Sequence, residues 1–326
     1  MIQVIRHPGP GADHPRPSVL AIGNFDGVHL GHRALIAEAR THALAQGLPL
    51  AVLTFEPHPK SVLEPPGEPF RLTPFRVKER ELEGLGVELL FVRHFDRQFA
   101  ERSAEAFIEE ILVGAIGVRV VVVGYDCTFG KSRRGNPAFL RAAGAQYGFD
   151  VAVVEPVRGA RKLPYSSTRI RELLQSGKPA EAAAQLGRWW EIDGRVAVGE
   201  RRGHKLGFPT ANLDLDCYLR PRFGVYAVRV KGEGADDPFG GRSVGGVANL
   251  GLRPTWPGTG PLLEAHLFDL DLDLYGRHLR VKLIEYLRPE RKFSGLEPLR
   301  AQIREDALRA RAILAKTPSL EEGGLR

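Results

Sequence analysis

Ser18-Val19-Leu20-Ala21-Ile22-Gly23-Asn24-Phe25-Asp26-Gly27-Val28-His29-Leu30-Gly31-His32 starts as a short, mostly apolar run, passes through a glycine-spaced turn and leads into a helical pattern. An unbroken run of this kind fits a strand buried on both faces. The turn then lies where a strand hands over to a helix. A helix N-terminus offers unpaired N–H groups and the positive end of the helix dipole, so such a turn can cradle phosphate. Gly23, Gly27 and Gly31 let the backbone approach closely, and His29 and His32 can both donate to phosphoryl oxygens. In isolation the same letters also describe a helix cap with two surface histidines.

Working outward, strands are expected at 18–22, 50–55, 89–93, 118–123 and 151–154, alternating with helices at 31–46, 76–85, 104–112 and 136–147. β-branched runs between amphipathic helices predict an α/β, Rossmann-like domain, a parallel sheet with helices on both faces. The pattern changes after a helix at 169–174, the breakers Ser176-Gly177-Lys178-Pro179 and a short Ala-rich helix. A boundary near Leu186 gives two domains, 1–185 and 186–326. In the second, short alternating segments at 191–198, 225–230, 243–250, 262–269 and 279–288, dense in Gly and Pro, predict an antiparallel barrel or sandwich. A final helix is expected, opened by a capping box of Ser294 and Glu297 and carrying an apolar stripe of Leu299, Ile303, Ala307 and Leu314. Residues 318–326 read as a frayed tail.

A length of 326 residues exceeds one compact core, in keeping with two domains. Forty-six Lys and Arg against 39 Asp and Glu leave a net charge of +7, which suits anionic partners. The basic residues are interspersed with acidic ones, as in Arg288-Pro289-Glu290-Arg291-Lys292, which argues against a nucleic-acid stripe. Cys127 and Cys217 lie far apart and suggest neither a disulfide framework nor a zinc site. No membrane span and no signal-peptide core is visible, so a cytoplasmic protein, monomeric or weakly homo-oligomeric, is expected.

Ser166-Ser167-Thr168-Arg169-Ile170-Arg171 offers hydroxyls and guanidinium groups that could clamp a triphosphate, although alone it reads equally as a capped helix start. Paired with the glycine-spaced turn it resembles the signature of the HxGH nucleotidyltransferase superfamily. Thr54-Phe55-Glu56-Pro57-His58-Pro59 and Gly124-Tyr125-Asp126-Cys127-Thr128-Phe129-Gly130 each follow an expected strand, where open α/β sheets place ligands. With them, the first half resembles the FMN adenylyltransferase module of prokaryotic bifunctional FAD synthetases. The resemblance implies that the FMN phosphate attacks the α-phosphate of ATP, giving FAD and pyrophosphate. It makes His29 and His32 the phosphate-stabilising residues. Gly23, Phe25, Asp26, Gly31 and Asp126 become nucleotide contacts, and Ser166, Ser167, Thr168 and Arg171 grip ATP. The family usually has an aromatic where Cys127 stands.

The second half carries Gly203-His204-Lys205-Leu206-Gly207-Phe208-Pro209-Thr210-Ala211-Asn212, which lacks Walker spacing but ends in two hard-oxygen side chains suited to Mg²⁺. By itself it could be a glycine-rich turn between strands. Phe223-Gly224-Val225-Tyr226-Ala227, Gly246-Val247-Ala248-Asn249-Leu250-Gly251-Leu252-Arg253-Pro254-Thr255, Leu263-Glu264-Ala265-His266-Leu267 and Leu274-Tyr275-Gly276 follow in order. The series resembles riboflavin kinase, a Greek-key β-barrel with a C-terminal helix. That likeness implies riboflavin and ATP as substrates and Glu264 as the base for the ribityl hydroxyl. Thr210 and Asn212 would hold Mg²⁺ with ATP, and Gly203, Lys205, Gly207 and Pro209 would line the nucleotide loop. By period two Glu264 and His266 share a strand face opposite Leu263 and Ala265. His204 and Trp256 stand where the family commonly has Arg and Phe. Three alternatives stay open: a related nucleotidyltransferase with another acceptor, a chain with one live domain, and a basic flavin- or RNA-binding module without turnover.

Overall fold

The computed structural model describes residues 1–7, 17–159, 163–197, 209–234, 237–252, 260–270 and 272–317. Among these, the chain forms two compact units, one of residues 1–67 and 73–166, the other of residues 68–72 and 167–326.

The first unit is a six-stranded sheet of β1 (Gln3–Arg6), β2 (Ser18–Ile22), β3 (Leu50–Glu56), β4 (Leu89–His94), β5 (Val118–Gly124) and β6 (Asp150–Val154). Its order is β1-β4-β3-β2-β5-β6, and every pair is parallel. The chain walks outward from β2 through β3 and β4, then returns to β5 on the other flank. β2 therefore sits at the topological switch point, and the turns after β2, β3 and β5 leave the same sheet edge.

The unbroken apolar run of β2 follows from burial on both faces. Val19 and Ala21 join a core with Leu35, Ile36 and Ala39 of α1 (Leu30–Gln46), whereas Leu20 and Ile22 join one with Phe107, Ile108 and Ile111. Each fully buried large side chain contributes about 1.5–3 kcal/mol, so neither face can turn polar cheaply. The remaining helices are α2 (Pro59–Leu63), α3 (Phe75–Gly84), α4 (Arg97–Ala100), α5 (Ala104–Ala106) and α6 (Pro137–Tyr147). From Phe107 to Ile116 the chain continues α5 as a π-helix that stops at Gly117 in the left-handed region. The helix expected at 104–112 thus runs further, because Ala115 and Ile116 are also buried.

After residues 68–72, the second unit continues with α7 (Ser167–Gln175) and α8 (Pro179–Leu186). An antiparallel sheet follows, built from β7 (Glu191–Arg195), β8 (Ala211–Asp214), β9 (Gly224–Gly232), β10 (Ser243–Gly251), β11 (Leu262–Leu267) and β12 (His278–Arg288). Its order, β7-β12-β9-β10-β11-β8, contains the Greek-key arrangement, since β12 returns to lie beside β9 of the β9-β10-β11 meander. Ala197, just past β7, bridges to Asn212 of β8 with its N–H 2.9 Å from the Asn212 carbonyl, and this closes the sheet toward a barrel.

The terminal helix α9 (Leu296–Lys316) packs Ala310 and Leu314 into a core with Trp189, Val225, Ala227 and Ile284. The expected capping box of Ser294 and Glu297 does not form. The N-cap is Gly295, so the third helical position is Pro298, which has no side-chain acceptor, and Glu297 instead accepts from Arg300 Nη1 at 2.9 Å. The buried line is Asp306, Ala310 and Leu314, with Leu299, Ile303 and Ala307 half-buried beside it. Asp306 is tolerated there because Arg288 Nη2 donates to its Oδ2 at 2.7 Å. The expected tail, 318–326, lies outside the described residues.

Candidate active sites

In the first unit His29 is the N-cap of α1, and its Nδ1 accepts from the His32 backbone N–H at 3.3 Å. An Nδ1 that accepts fixes the proton of the neutral ring on Nε2. The two imidazoles stack, with centroids 3.7 Å apart and planes 18° from parallel. Gly31 makes this possible: a Cβ there would stand 3.1 Å from the His29 ring. His32 also faces Phe25, centroid to centroid 5.2 Å, and its buried Nδ1 has no hydrogen-bond partner among the described residues. Burial, helped by the charges of His29 and Lys78, holds its pKa well below the usual 6.5. His32 is therefore a neutral imidazole at physiological pH, able to donate one N–H without repelling a cation bound to phosphate.

The turn is held rigidly from below. Phe25 and Val28 take left-handed backbone angles, φ 50° and 42°, with both side chains fully buried. Such angles are costly for residues with a Cβ and persist only where packing fixes them. Asp26 Oδ1 accepts from the Thr73 N–H at 3.0 Å, and the Gly27 N–H donates to Thr73 Oγ1 at 2.9 Å. Asp26, read from sequence as a cofactor contact, thus has its carboxylate bonded to the protein's own backbone. The Gly23 N–H donates to the Leu53 carbonyl at 3.1 Å, and a Cβ at this position would stand 3.2 Å from the Phe25 ring.

Lys78 of α3 was not visible as a site residue in the sequence. Its fully buried ammonium donates to Thr54 Oγ1 at 3.2 Å and Glu56 Oε1 at 3.0 Å, and Thr54 Oγ1 in turn donates to the Asn24 carbonyl at 3.2 Å. The signal that could have found it is a lysine interrupting an apolar helix stripe, beside Val77 and Leu82. On β5's following loop, Asp126 is exposed, while burial and then the Asp126 charge raise the Cys127 thiol to about 11. Ser166 belongs to the first unit.

Ser167, Thr168 and Arg171 stand on α7 in the second unit. Arg171 Nε donates to the Phe70 carbonyl at 2.9 Å, and its guanidinium lies 5.4 Å from the Phe70 ring centroid.

The second constellation is written in strand register. Glu264 on β11 pairs with Asn212 on β8 and with Asn249 on β10, so the three side chains form a row across the sheet. Glu264 is exposed, His266 half-buried, and Leu263 and Ala265 fully buried. His266 Nδ1 lies 3.0 Å from the Pro209 carbonyl, which ties the chain before β8 to β11. Asn249 Nδ2 donates to Glu290 Oε1 at 3.0 Å. Asn212 is buried, and its Oδ1 has no hydrogen-bond partner among the described residues. A hard, unpartnered oxygen beside the half-buried Thr210 fits a hard divalent cation. Gly203, Lys205 and Gly207, with His204 and Trp256, lie outside the described residues.

Comparison with known proteins also divides the chain into two parts. A family model for FAD synthetase matches residues 12–169, and one for riboflavin kinase matches residues 186–314. The bifunctional riboflavin kinase/FMN adenylyltransferase of Escherichia coli K12 is 41% identical over 92% of this chain and 93% of its own. The chain belongs to the bifunctional riboflavin kinase/FMN adenylyltransferase family. The Listeria monocytogenes member is 38% identical over 91% of this chain and 93% of its own. A solved Streptococcus pneumoniae structure, described as a macrolide-efflux protein, is 29% identical with a TM-score of 0.83 and covers 97% of this chain and 99% of its own. No described helix of this chain is long and apolar enough to cross a membrane. Within the riboflavin kinase/FMN adenylyltransferase frame, His29, His32, Asp126 and Ser166 to Thr168 fall under the FAD synthetase match. Thr210, Asn212 and Glu264 fall under the riboflavin kinase match, and Arg171 falls between the two.

Proposed function

We propose that this chain makes both flavin cofactors, phosphorylating riboflavin to FMN in residues 186–326 and adenylylating FMN to FAD in residues 1–185. The observation that carries the reading is the register pairing of Glu264 with Asn212, inside the region that matches riboflavin kinase.

The two reactions ask different things of a protein. The ribityl alcohol is neutral and must lose a proton as it attacks, which requires a base within reach. Glu264, exposed on its strand, accepts that proton, while Thr210 and Asn212 hold the cation that accompanies ATP. Bound there, Mg²⁺ would neutralise charge on the transferred phosphoryl group. The FMN phosphate, by contrast, is already largely dianionic near pH 7 because its second pKa is about 6. Adenylylation therefore needs positioning and charge stabilisation rather than a base. The stacked imidazoles of His29 and His32 at the mouth of α1 donate to the phosphates of ATP as pyrophosphate leaves. Asp126, Ser166, Ser167, Thr168 and Arg171 are assigned to nucleotide binding on the family pattern. The product of the second reaction site is the acceptor of the first, which gives the tandem arrangement a chemical reason. Cys127 and Cys217, neither of them in a disulfide, suit a cytoplasmic protein.

The test is incubation of the purified full chain with riboflavin, ATP and Mg²⁺, with chromatographic separation of the flavins. FMN followed by FAD supports the proposal. Riboflavin left unchanged, or FMN that never proceeds to FAD, refutes it.

A further inference from the structure

A group of side chains able to ligate a metal comes from β7, β12 and the residue after β9, not from the β8, β11 and β10 strands of the Glu264 row. Asp193 is in β7, His278 opens β12, and Glu233 follows the last residue of β9. His278 Nε2 faces Asp193 Oδ1 and lies 3.3 Å from Glu233 Oε2. One ligand atom from each residue lies within 4.8 Å of the other two. From these positions we infer that Asp193, Glu233 and His278 bind a divalent transition-metal ion of the zinc class, separate from the cation that accompanies ATP.

The backbone sets the three ligands before any ion arrives. Asp193 pairs in register with Arg280, which puts His278 two residues along on the same face of β12. The Glu233 N–H donates to the His278 carbonyl at 3.1 Å, and the Asp193 N–H lies 3.0 Å from Tyr218 Oη. The turn that delivers His278 is the Leu274-Tyr275-Gly276 motif, closed by the Arg277 N–H on the Leu274 carbonyl at 3.0 Å. Arg280, opposite Asp193, makes a buried bidentate pair with Glu191, Nε to Oε1 at 3.1 Å and Nη2 to Oε2 at 3.2 Å.

The chemistry favours an ion over a simple histidine–carboxylate pair. Nε2 can carry one proton, yet two carboxylate oxygens are aimed at that single nitrogen. An ion in place of the shared proton would satisfy all three groups at once. The side chains are 4%, 20% and 14% exposed for Asp193, Glu233 and His278, so the charges sit where desolvation makes compensation valuable. One imidazole nitrogen with two carboxylate oxygens is a set that suits Zn²⁺ or a similar ion and leaves a coordination position for water. Magnesium prefers oxygen-only, largely hydrated octahedra, and competes poorly here.

The test uses the full-length chain, stripped of metal with chelator and kept in excess Mg²⁺ without nucleotide. Co²⁺ is titrated while its visible absorption is followed, then displaced with Zn²⁺, and thermal unfolding is recorded with and without Zn²⁺. The inference expects one Co²⁺ per chain with the bands of a protein-bound ion, and a rise of Tm by a few degrees in Zn²⁺. His278→Gln should weaken Co²⁺ binding at least about 100-fold, the upper end of what loss of even an outer partner costs a metal site. Glu233→Gln, at the more exposed ligand, gives a second reading should His278→Gln fold poorly. A Co²⁺ spectrum identical to the free ion, a Tm unmoved by Zn²⁺, or unchanged affinity in the folded variants would each overturn the inference.

Discussion

Glu264 and Asn212 stand directly opposite each other on the antiparallel strands β11 and β8, and Asn249 of β10 continues the row on the far side of Glu264. Cross-strand neighbours of this kind have Cβ atoms about 4.5–5.5 Å apart. A carboxylate able to take a proton and an amide oxygen able to meet a cation are therefore held at working distance by backbone hydrogen bonds alone.

The buried, unpartnered Oδ1 of Asn212 is a group whose desolvation nothing described offsets. Asn212→Leu should therefore stabilise the substrate-free chain by about 1 kcal/mol while raising the KM of the kinase step for Mg²⁺-ATP at least ~10-fold. Thermal unfolding and initial rates at varied ATP check both halves. A variant that loses stability and keeps its KM would show that the oxygen has a structural partner instead.

Gly31→Ala places a methyl 3.1 Å from the His29 ring, tighter than a neighbour tolerates without shifting. The expected outcome is a fold that persists, with FAD formation from supplied FMN reduced several-fold, short of the ~10²-fold that a full 1 Å misplacement costs, because the ring has to give by only a fraction of an ångström. FMN formation from riboflavin should be unchanged. An adenylylation rate equal to wild type would mean that the His29 ring position is immaterial.

The depressed pKa of His32 has a consequence for stability. Above about pH 6.5 the residue is neutral in folded and unfolded chains alike. As pH falls below that value the unfolded chain takes up a proton that the folded chain refuses, so the unfolded state binds more protons and stability drops. The loss ends once pH passes below the depressed folded pKa. His32→Gln should remove this part of the acid sensitivity, flattening denaturant midpoints below pH 6.5 relative to wild type. Parallel midpoint curves for the two proteins would contradict it.

Cys127 and Cys217 should separate cleanly by reactivity. Burial and the Asp126 charge lift the Cys127 thiol to about 11, whereas Cys217 is exposed. At pH 8 a thiol reagent should modify one sulfur quickly and the other far more slowly, because the thiolate is the nucleophile. Cys217→Ser should abolish the fast phase; if Cys127→Ser does so instead, the assignment is reversed.

Much of this architecture was legible in the sequence because it rests on local patterns. The continuous run of β2 announced a strand buried on two faces, and the glycine spacing from Gly23 to Gly31 announced a tight turn into α1. Residues whose roles depend on tertiary placement were not legible. β1 is a four-residue edge strand too short to show a period, and β8 starts in the last two residues of the stretch read as a turn. Thr73 supports the turn from 46 residues beyond Gly27, and Lys78 from 24 beyond Thr54, separations at which no local spacing signals contact. The capping box failed because the helix began one residue later than Ser294 required, a boundary shift that composition does not encode. The motif from Leu263 to Leu267 gave the face of Glu264, but its partner became visible only through strand register.

The most direct test of two independent chemistries is a crossed assay on two variants. His32→Ala and Glu264→Ala are each supplied with ATP and Mg²⁺, once with riboflavin and once with FMN. His32→Ala should convert riboflavin to FMN at the wild-type rate and make little FAD from either flavin. Glu264→Ala should leave riboflavin untouched and convert supplied FMN to FAD normally. Equal loss of both conversions in a variant that remains folded would contradict the division of labour between the two sites.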